Sequence, residues 1–258
     1  MSDEVVLESQ PNWLGLTGSR VLVAGAGGIG SACAKAFVDA GAKVALVDLD
    51  PERLEVVSKE LGPDALTITA DLSTGSGARE AVARVEVALD GIDVLVHAVG
   101  INLRKPVLDF TDDEWARIQK INLDSAFYLA QAAGKSMIER RFGRIILLSS
   151  VSGLLAHPDH APYAASKGAI NQMMRVMARE WAPYSVTVNA IAPGYIETDL
   201  TQDYLSKGDN RAKLEKMVPA GRLGTTWELT GPALFLASRH ASFITGHVLY
   251  VDGGRTLV

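Results

Sequence analysis

Tyr163 and Lys167 fall one helical turn apart in Tyr163-Ala164-Ala165-Ser166-Lys167, so in a helix both side chains share a face. An ammonium beside a phenol favours the phenolate. Lys167 is therefore expected to draw the Tyr163 pKa down from ~10 toward working pH. A phenol tuned in this way exchanges a proton with a carbinol or carbonyl oxygen. The spacing alone is not specific, and only its surroundings give the pair meaning. A second group of residues lies near the start of the chain, in Gly25-Ala26-Gly27-Gly28-Ile29-Gly30 between an apolar run and a helical stretch. Glycines there allow a tight turn and close approach of backbone N–H groups to a pyrophosphate, and a helix N-terminus adds partial positive charge. Asp48 ends the next apolar run, with Leu49 beside it. A carboxylate at that point accepts bonds from adenosine ribose hydroxyls and repels a 2′-phosphate, which predicts NAD as the cofactor; the plain alternative is a solvated strand-end aspartate.

Two more clusters bear on a substrate. The stretch Gly100-Ile101-Asn102-Leu103-Arg104-Lys105-Pro106 leaves the carboxyl end of a strand, where ligands of open α/β sheets bind. Arg104 has the bidentate fork suited to a carboxylate, although two adjacent cations also describe an ordinary solvated surface. His157 and His160 precede Tyr163 closely. They can bond polyol hydroxyls or simply sit at the surface. A metal is not expected, since no carboxylate cluster accompanies them.

These groups must be held by a scaffold, and its elements are legible. Short apolar runs at Arg20–Ala24, Lys43–Asp48, Ala65–Ala70, Asp93–His97, Arg144–Ser149, Thr187–Ile191 and His247–Val251 read as strands buried on both faces. Helical patterns fill 30–40, 51–60, 76–89, 112–140, 161–182 and 226–237, the second opening on Pro51. This alternation predicts a Rossmann-type doubly wound parallel sheet flanked by helices. No repeat or linker breaks it, so residues 1–258 read as a single α/β domain. Residues 1–15 fit no element and are expected to form an arm, and the polar stretch 199–217 is expected to act as a substrate lid.

Composition closes off other classes. With 48% apolar residues the 258-residue chain is not disordered. A net charge of −5 argues against a nucleic-acid partner. The single cysteine, Cys33, excludes a disulfide framework and fits a reducing compartment. No apolar run reaches the ~18 residues of a membrane span. The start Met1-Ser2-Asp3-Glu4 is acidic where a signal peptide carries positive charge. A cytoplasmic protein acting on a small molecule is the expectation.

Taken together, the motifs resemble the short-chain dehydrogenase/reductase family over about residues 14–255. The matching pieces are the glycine loop, Asp48, Asp71-Leu72, Ala98-Val99-Gly100, Asn122, Ser149-Ser150, Tyr163 with Lys167, Pro193-Gly194-Tyr195-Ile196-Glu197-Thr198, and Val251-Asp252-Gly253-Gly254, all in family order. The resemblance implies roles. Tyr163 is the general acid/base, and Lys167 lowers its pKa and holds the nicotinamide ribose. Ser150 bonds the substrate oxygen, and Asn122 holds a water that links Lys167 to solvent. Gly25, Gly28, Ile29, Gly30, Asp48, Leu49, Ala98 and Gly100 contact the NAD cofactor; Asp71 and Leu72 flank its adenine. Pro193, Gly194, Ile196 and Thr198 grip its carboxamide and pyrophosphate. The 100–106 stretch is similar to that of gluconate 5-dehydrogenase-like members, which implies a sugar acid or polyol held by Arg104 and His157 around Tyr163. The resemblance also implies a homotetramer built around the last strand. A 3-oxoacyl thioester reductase of the same family and a catalytically silent NAD-binding scaffold are the alternatives.

Two departures stand out. The family's TGxxxGxG loop is one residue shorter here, with Ala24 in place of Thr, and its Asn-Asn-Ala-Gly stretch reads His97-Ala98-Val99-Gly100. A buried, satisfied histidine is expected at 97 rather than a catalytic one.

Overall fold

Runs of side chains with no polar face can only be covered on both sides, and that requirement sets the architecture. In the computed structural model, which describes residues 13–258, the runs become seven strands. These are β1 (Arg20–Ala24), β2 (Lys43–Asp48), β3 (Leu66–Thr69), β4 (Val94–His97), β5 (Gly143–Leu148), β6 (Val186–Pro193) and β7 (Val248–Val251). They form one parallel sheet in the order β3-β2-β1-β4-β5-β6-β7. Most of the expected 1–15 arm lies outside the described residues.

The helices are α1 (Gly28–Asp39), α2 (Pro51–Leu61), α3 (Gly75–Leu89), α4 (Asp112–Gln119), α5 (Ser125–Arg140), α6 (Ala161–Trp181), α7 (Asp199–Leu205), α8 (Asn210–Lys216) and α9 (Thr230–Ala237). One face of the sheet packs on α3, α5 and α6 through residues such as Val82, Leu129 and Met174. The other packs on α1, α2 and α9 through Phe37, Leu54 and Leu236. Chain direction across the sheet reverses between β1 and β4, and the crevice outside their carboxyl ends is where such sheets bind ligands. The glycine loop leaves β1 at that point and the 98–106 stretch leaves β4.

The structure departs from expectation in one helix. The span 112–140 is not a single α-helix: a π-turn at Lys120–Asp124 separates α4 from α5. Apolar periodicity averages over one inserted residue and does not reveal it. The 199–217 stretch, expected as a lid, is a pair of short helices, α7 and α8.

Candidate active site

The glycine loop is shaped by close approach. Gly25 has φ of 99°, and a Cβ there would sit 2.9 Å from the Ala98 carbonyl carbon. At Gly30 a Cβ would overlap the Gly25 carbonyl oxygen at 1.9 Å, so α1 is drawn tightly onto the loop. Gly27, at the α1 N-cap, offers no side-chain cap and faces open space. The first N–H groups of α1 are thus left for an anion, and the shortened loop keeps its cradle. Asp48 braces this loop from β2: its carboxylate accepts the Ala26 N–H at 2.6 Å and the Asp50 N–H at 3.0 Å. Leu49 beside it is exposed. These features fit a dinucleotide.

The adenine side is less as expected. The Asp71 carboxylate is engaged by the Ser73 hydroxyl at 2.6 Å and the Ser73 N–H at 2.9 Å, and the first of these bonds holds it below the usual carboxylate range. Leu72 is buried in the core beneath α3. Its side chain is not available to flank a ring, because covering the sheet end takes precedence over facing solvent.

A recess of about 120 Å³ brings together Ile29, Ala98, Gly100, Ser150, Tyr163, Lys167, Pro193, Gly194, Ile196 and Thr198. The sequence spreads these residues over five segments, and the sheet's carboxyl edge collects them. Gly194 leaves no room for a side chain, since a Cβ would lie 2.7 Å from the Asp252 Cα.

Tyr163 and Lys167 lie in the first turns of α6, which other elements hold in place. Gln119 Nε2 donates to the Pro162 carbonyl at 2.9 Å. Asn122, fully buried in the π-turn, donates to Ser166 Oγ at 3.1 Å and to the Ile101 carbonyl at 2.9 Å, and accepts the Ile101 N–H at 2.8 Å. Its amide is therefore committed to protein partners. The Asn122 Oδ1 and Lys167 Nζ both flank Gly100, 3.6 and 3.5 Å from where a Cβ would stand.

Ser150 caps the turn after β5, accepting the Ser152 N–H at 3.1 Å, and its hydroxyl lies beside Tyr163 in the same recess. The cap leaves Ser150 lining both the recess and the cavity beyond it. Lys167 Nζ donates to the Leu148 carbonyl at 2.7 Å and lies 5.6 Å from the centre of the Tyr163 ring. Burial lowers the Lys167 pKa to about 8. Burial also raises the Tyr163 phenol above its ordinary value, against the Ser150 bond and the Arg104 charge, which pull it down. In this arrangement Lys167 is held on a carbonyl, and Ser150 and Arg104 are the groups that favour the phenolate.

His97 is buried as expected, though only half satisfied. Ser125 donates its hydroxyl to the Ile121 carbonyl at 2.5 Å, so it accepts from His97 Nε2 at 2.8 Å, and His97 Nδ1 is left without a partner. Burial, with the Lys167 charge adding, lowers its pKa to about 3. The imidazole stays neutral and pins the π-turn through Ser125.

A larger cavity of about 280 Å³ opens from Ser150 and Tyr163 outward. Arg104, Asn102, His157 and His160 line its polar side; Leu200, Leu205, Leu214, Met217 and Leu223 line the other. Lys105 forms an ion pair with Glu114, so it is not a free cation. Arg104 is different: among the described residues it has no carboxylate partner. Its Cζ lies 3.5 Å from the centre of the Tyr204 ring, on α7. His157 does not meet its expected role. Both of its ring nitrogens are taken up by Ser152 and Tyr195, at 2.8 and 3.2 Å. Tyr195 and Tyr204, to which the sequence alone assigns no role, reach this cavity from segments remote in the chain, and Arg255 bonds the Tyr195 hydroxyl. Tyr195 lay inside a recognised turn, the one signal that was available.

A family model described as enoyl-(acyl carrier protein) reductase matches residues 23–256. Gluconate 5-dehydrogenase of Gluconobacter oxydans (strain 621H) is 36% identical over 253 residues, 96% of this chain and 99% of the relative. The 3-oxoacyl-(acyl-carrier-protein) reductase of Salmonella typhimurium is 36% identical over 242 residues, 93% of this chain and 98% of the relative. A gluconate 5-dehydrogenase from Burkholderia cenocepacia J2315, solved in complex with NADP and tartrate, superposes with a TM-score of 0.90 at 37% identity, covering 94% of this chain and 96% of that one.

Proposed function

Because this chain belongs to the short-chain dehydrogenase/reductase family and is an oxidoreductase of CH–OH groups, we propose that it interconverts a secondary alcohol and a ketone on a sugar acid or polyol, with NAD as cofactor. The observation that carries the substrate reading is Arg104, a half-buried guanidinium with no carboxylate partner among the described residues, in the same cavity as Ser150 and Tyr163. A carboxylate is the ligand that such a fork takes.

When bound, the nicotinamide accepts or gives the hydride. The chain's own residues handle position and the proton. Ser150 donates a hydrogen bond to the substrate oxygen. In the oxidation direction Tyr163 takes the hydroxyl proton from that oxygen, and in reduction it returns one. Lys167, a buried cation when protonated, offers its ammonium to the nicotinamide ribose, and Asn122 fixes the first turn of α6 so that this geometry holds. The bare start of α1 and the Gly25–Gly30 cradle receive the pyrophosphate, with Ile196 and Thr198 closing on the other side. Asp48 supports NAD over NADP, because its carboxylate stands where the loop meets the ribose and would face a 2′-phosphate with like charge. The Burkholderia relative was solved with NADP, so cofactor choice is itself under test.

The test is a panel of gluconate, sorbitol and simple secondary alcohols with NAD⁺ and NADP⁺ in parallel, read by absorbance of the reduced cofactor. Faster turnover of sorbitol than gluconate removes the carboxylate from the reading. The apolar wall of Leu200, Leu205, Leu214, Met217 and Leu223 favours one rival, a 3-oxoacyl thioester reductase, and turnover of a 3-oxoacyl thioester with no dependence on Arg104 would establish it.

Two further features go with this reading. β7 is an edge strand, and Phe243 beside it is fully exposed, which supports a closed homotetramer that covers both. A mass of one 27.5 kDa chain by light scattering would remove that part. No helix among the described residues is long and apolar enough to cross a membrane, and Cys33 is a buried free thiol, in keeping with a cytoplasmic enzyme.

A further inference from the structure

The cavity contains two imidazoles that differ in what their nitrogens have left to offer. Arg255 donates Nε–H to the Tyr195 hydroxyl at 3.2 Å. That hydroxyl passes its own hydrogen to His157 Nε2, 3.2 Å away, and His157 Nδ1 donates to Ser152 Oγ at 2.8 Å. His157 is thus a link in a closed chain running from the C-terminal segment to the turn after β5. Its ring is neutral, has no free nitrogen, and serves as fixed wall.

His160, the residue before α6, stands otherwise. Its Nδ1 lies 2.6 Å from the Pro158 carbonyl oxygen. A carbonyl only accepts, so Nδ1 carries the proton and Nε2 of the neutral ring is a lone pair. No partner for that nitrogen exists among the described residues. The ring packs edge-on toward Tyr163, with centroids 6.3 Å apart, and lines the same cavity as Arg104. Burial, with the Arg104 charge adding and the Pro158 bond and Asp159 opposing, keeps the ring below the ordinary imidazole pKa, so the lone pair is present at neutral pH.

The geometry points to His160 as a specificity residue of the reaction: its Nε2 accepts a hydrogen bond from a substrate hydroxyl on a carbon near the one that reacts at Tyr163. This rests on the reading of the substrate as polyhydroxylated. A hydroxyl both donates and accepts, so one that donates to His160 still has lone pairs for the Arg104 guanidinium. A substrate without that hydroxyl buries the nitrogen unpaired, which is the basis on which polar sites reject deoxy analogues.

The test compares substrates within one enzyme. Gluconate is set against 5-hydroxyhexanoate, which keeps the carboxylate and the C5 hydroxyl and lacks the others, and sorbitol is set against 2-hexanol. The ratio of kcat/KM inside each pair cancels any loss of folded protein. Wild type should favour the polyhydroxy member, and His160→Phe should reduce that ratio about tenfold, the scale of one hydrogen bond. His160→Gln, whose amide oxygen accepts, should recover part of it. An unchanged ratio in His160→Phe overturns the inference, as does a wild type with no preference in either pair. A tenfold fall in the sorbitol pair alone, with both acids inert, upholds His160 while ending the sugar-acid reading.

Discussion

Arg104 lies against Tyr204, its Cζ 3.5 Å from the ring centre, and this contact joins the stretch after β4 to α7 across the mouth of the cavity. The aromatic face holds the guanidinium without neutralising it. A substrate carboxylate would meet a cation already oriented and partly stripped of water. The pairing exists in ground and transition states alike, so Arg104→Ala should raise KM for gluconate about ten- to a hundredfold and, on the high-pH plateau of the profile, change kcat little. Arg104→Lys should recover little, since a point charge has no fork. Steady-state kinetics settles it: a loss confined to kcat contradicts the assignment.

Asp48 has two roles that substitution separates. It accepts the Ala26 N–H and, on the proposed reading, repels a 2′-phosphate. Asp48→Asn retains an acceptor for the loop and removes the charge, so it should gain use of NADP⁺ while holding NAD⁺ well. Asp48→Ala removes both and should weaken binding of either cofactor. Cofactor titration by fluorescence distinguishes the two variants, and identical behaviour would show that the bond to the loop is idle.

Burial raises the Tyr163 phenol, while the Ser150 bond and the Arg104 charge lower it. On the proposed reading the phenolate form carries alcohol oxidation, so the rate should rise with pH through this group. Removing either favourable influence disfavours the phenolate, and the rising limb of the kcat/KM profile should move to higher pH in Ser150→Ala and in Arg104→Gln. Tyr163→Phe should cost about 10²–10⁴-fold in kcat and still bind NADH. A limb that stays in place in both of the first two variants would mean that another group titrates there.

His97 has a folded-state pKa of about 3, far below the ~6.5 of an exposed imidazole. The unfolded chain takes up a proton that the folded chain refuses, so stability contributed above about 6.5 is lost as pH falls toward 3, by up to ~1.4 kcal/mol per pH unit. His97→Asn removes this linkage, and its urea midpoint should fall less steeply than wild type between those limits. Parallel curves would indicate that the buried ring takes up a proton at little cost.

Asp93 gathers two arginines at the amino edge of the sheet. Burial pushes its carboxyl up, but bonds from Arg20, at 2.8 Å to Nε, and from Arg140, at 3.0 Å, outweigh it and hold the group below its ordinary range. Asp93→Ala should cost on the order of 1–3 kcal/mol in chemical denaturation, with cofactor affinity untouched because the site lies at the opposite edge.

The strands were readable because burial on both faces writes itself as unbroken apolar runs, as in Ile145-Ile146-Leu147-Leu148. The glycine cradle was readable for a similar reason: Gly25 and Gly30 occupy places where a Cβ would collide with backbone. The remaining features depend on pairings between distant segments. Whether His157 has a free nitrogen is decided by Tyr195 and Ser152, and whether Lys105 is a free cation is decided by Glu114. Leu72 sits inside a family motif, yet its side chain went to the core, since a leucine beside a covered strand end is worth more buried than exposed. The Tyr163–Lys167 spacing was right about the shared face of α6. It could not reveal that the Leu148 carbonyl would hold the ammonium.

The π-turn at Lys120–Asp124 has a consequence for how this chain can change over generations. It amounts to one extra residue in an otherwise continuous helix. Rewinding the same residues as a regular α-helix, with none deleted, would rotate everything downstream by roughly 100°. Ala126, Leu129, Ala130, Ala133 and Met137 would swing out of the core together. Asn122 sits within the turn and the packed face of α5 follows it, so a lineage that straightened the helix by substitution alone would have to rebuild its interior in the same step. Against point substitution the irregularity is protected by the hydrophobic stripe behind it, whatever the demands of the chemistry in front.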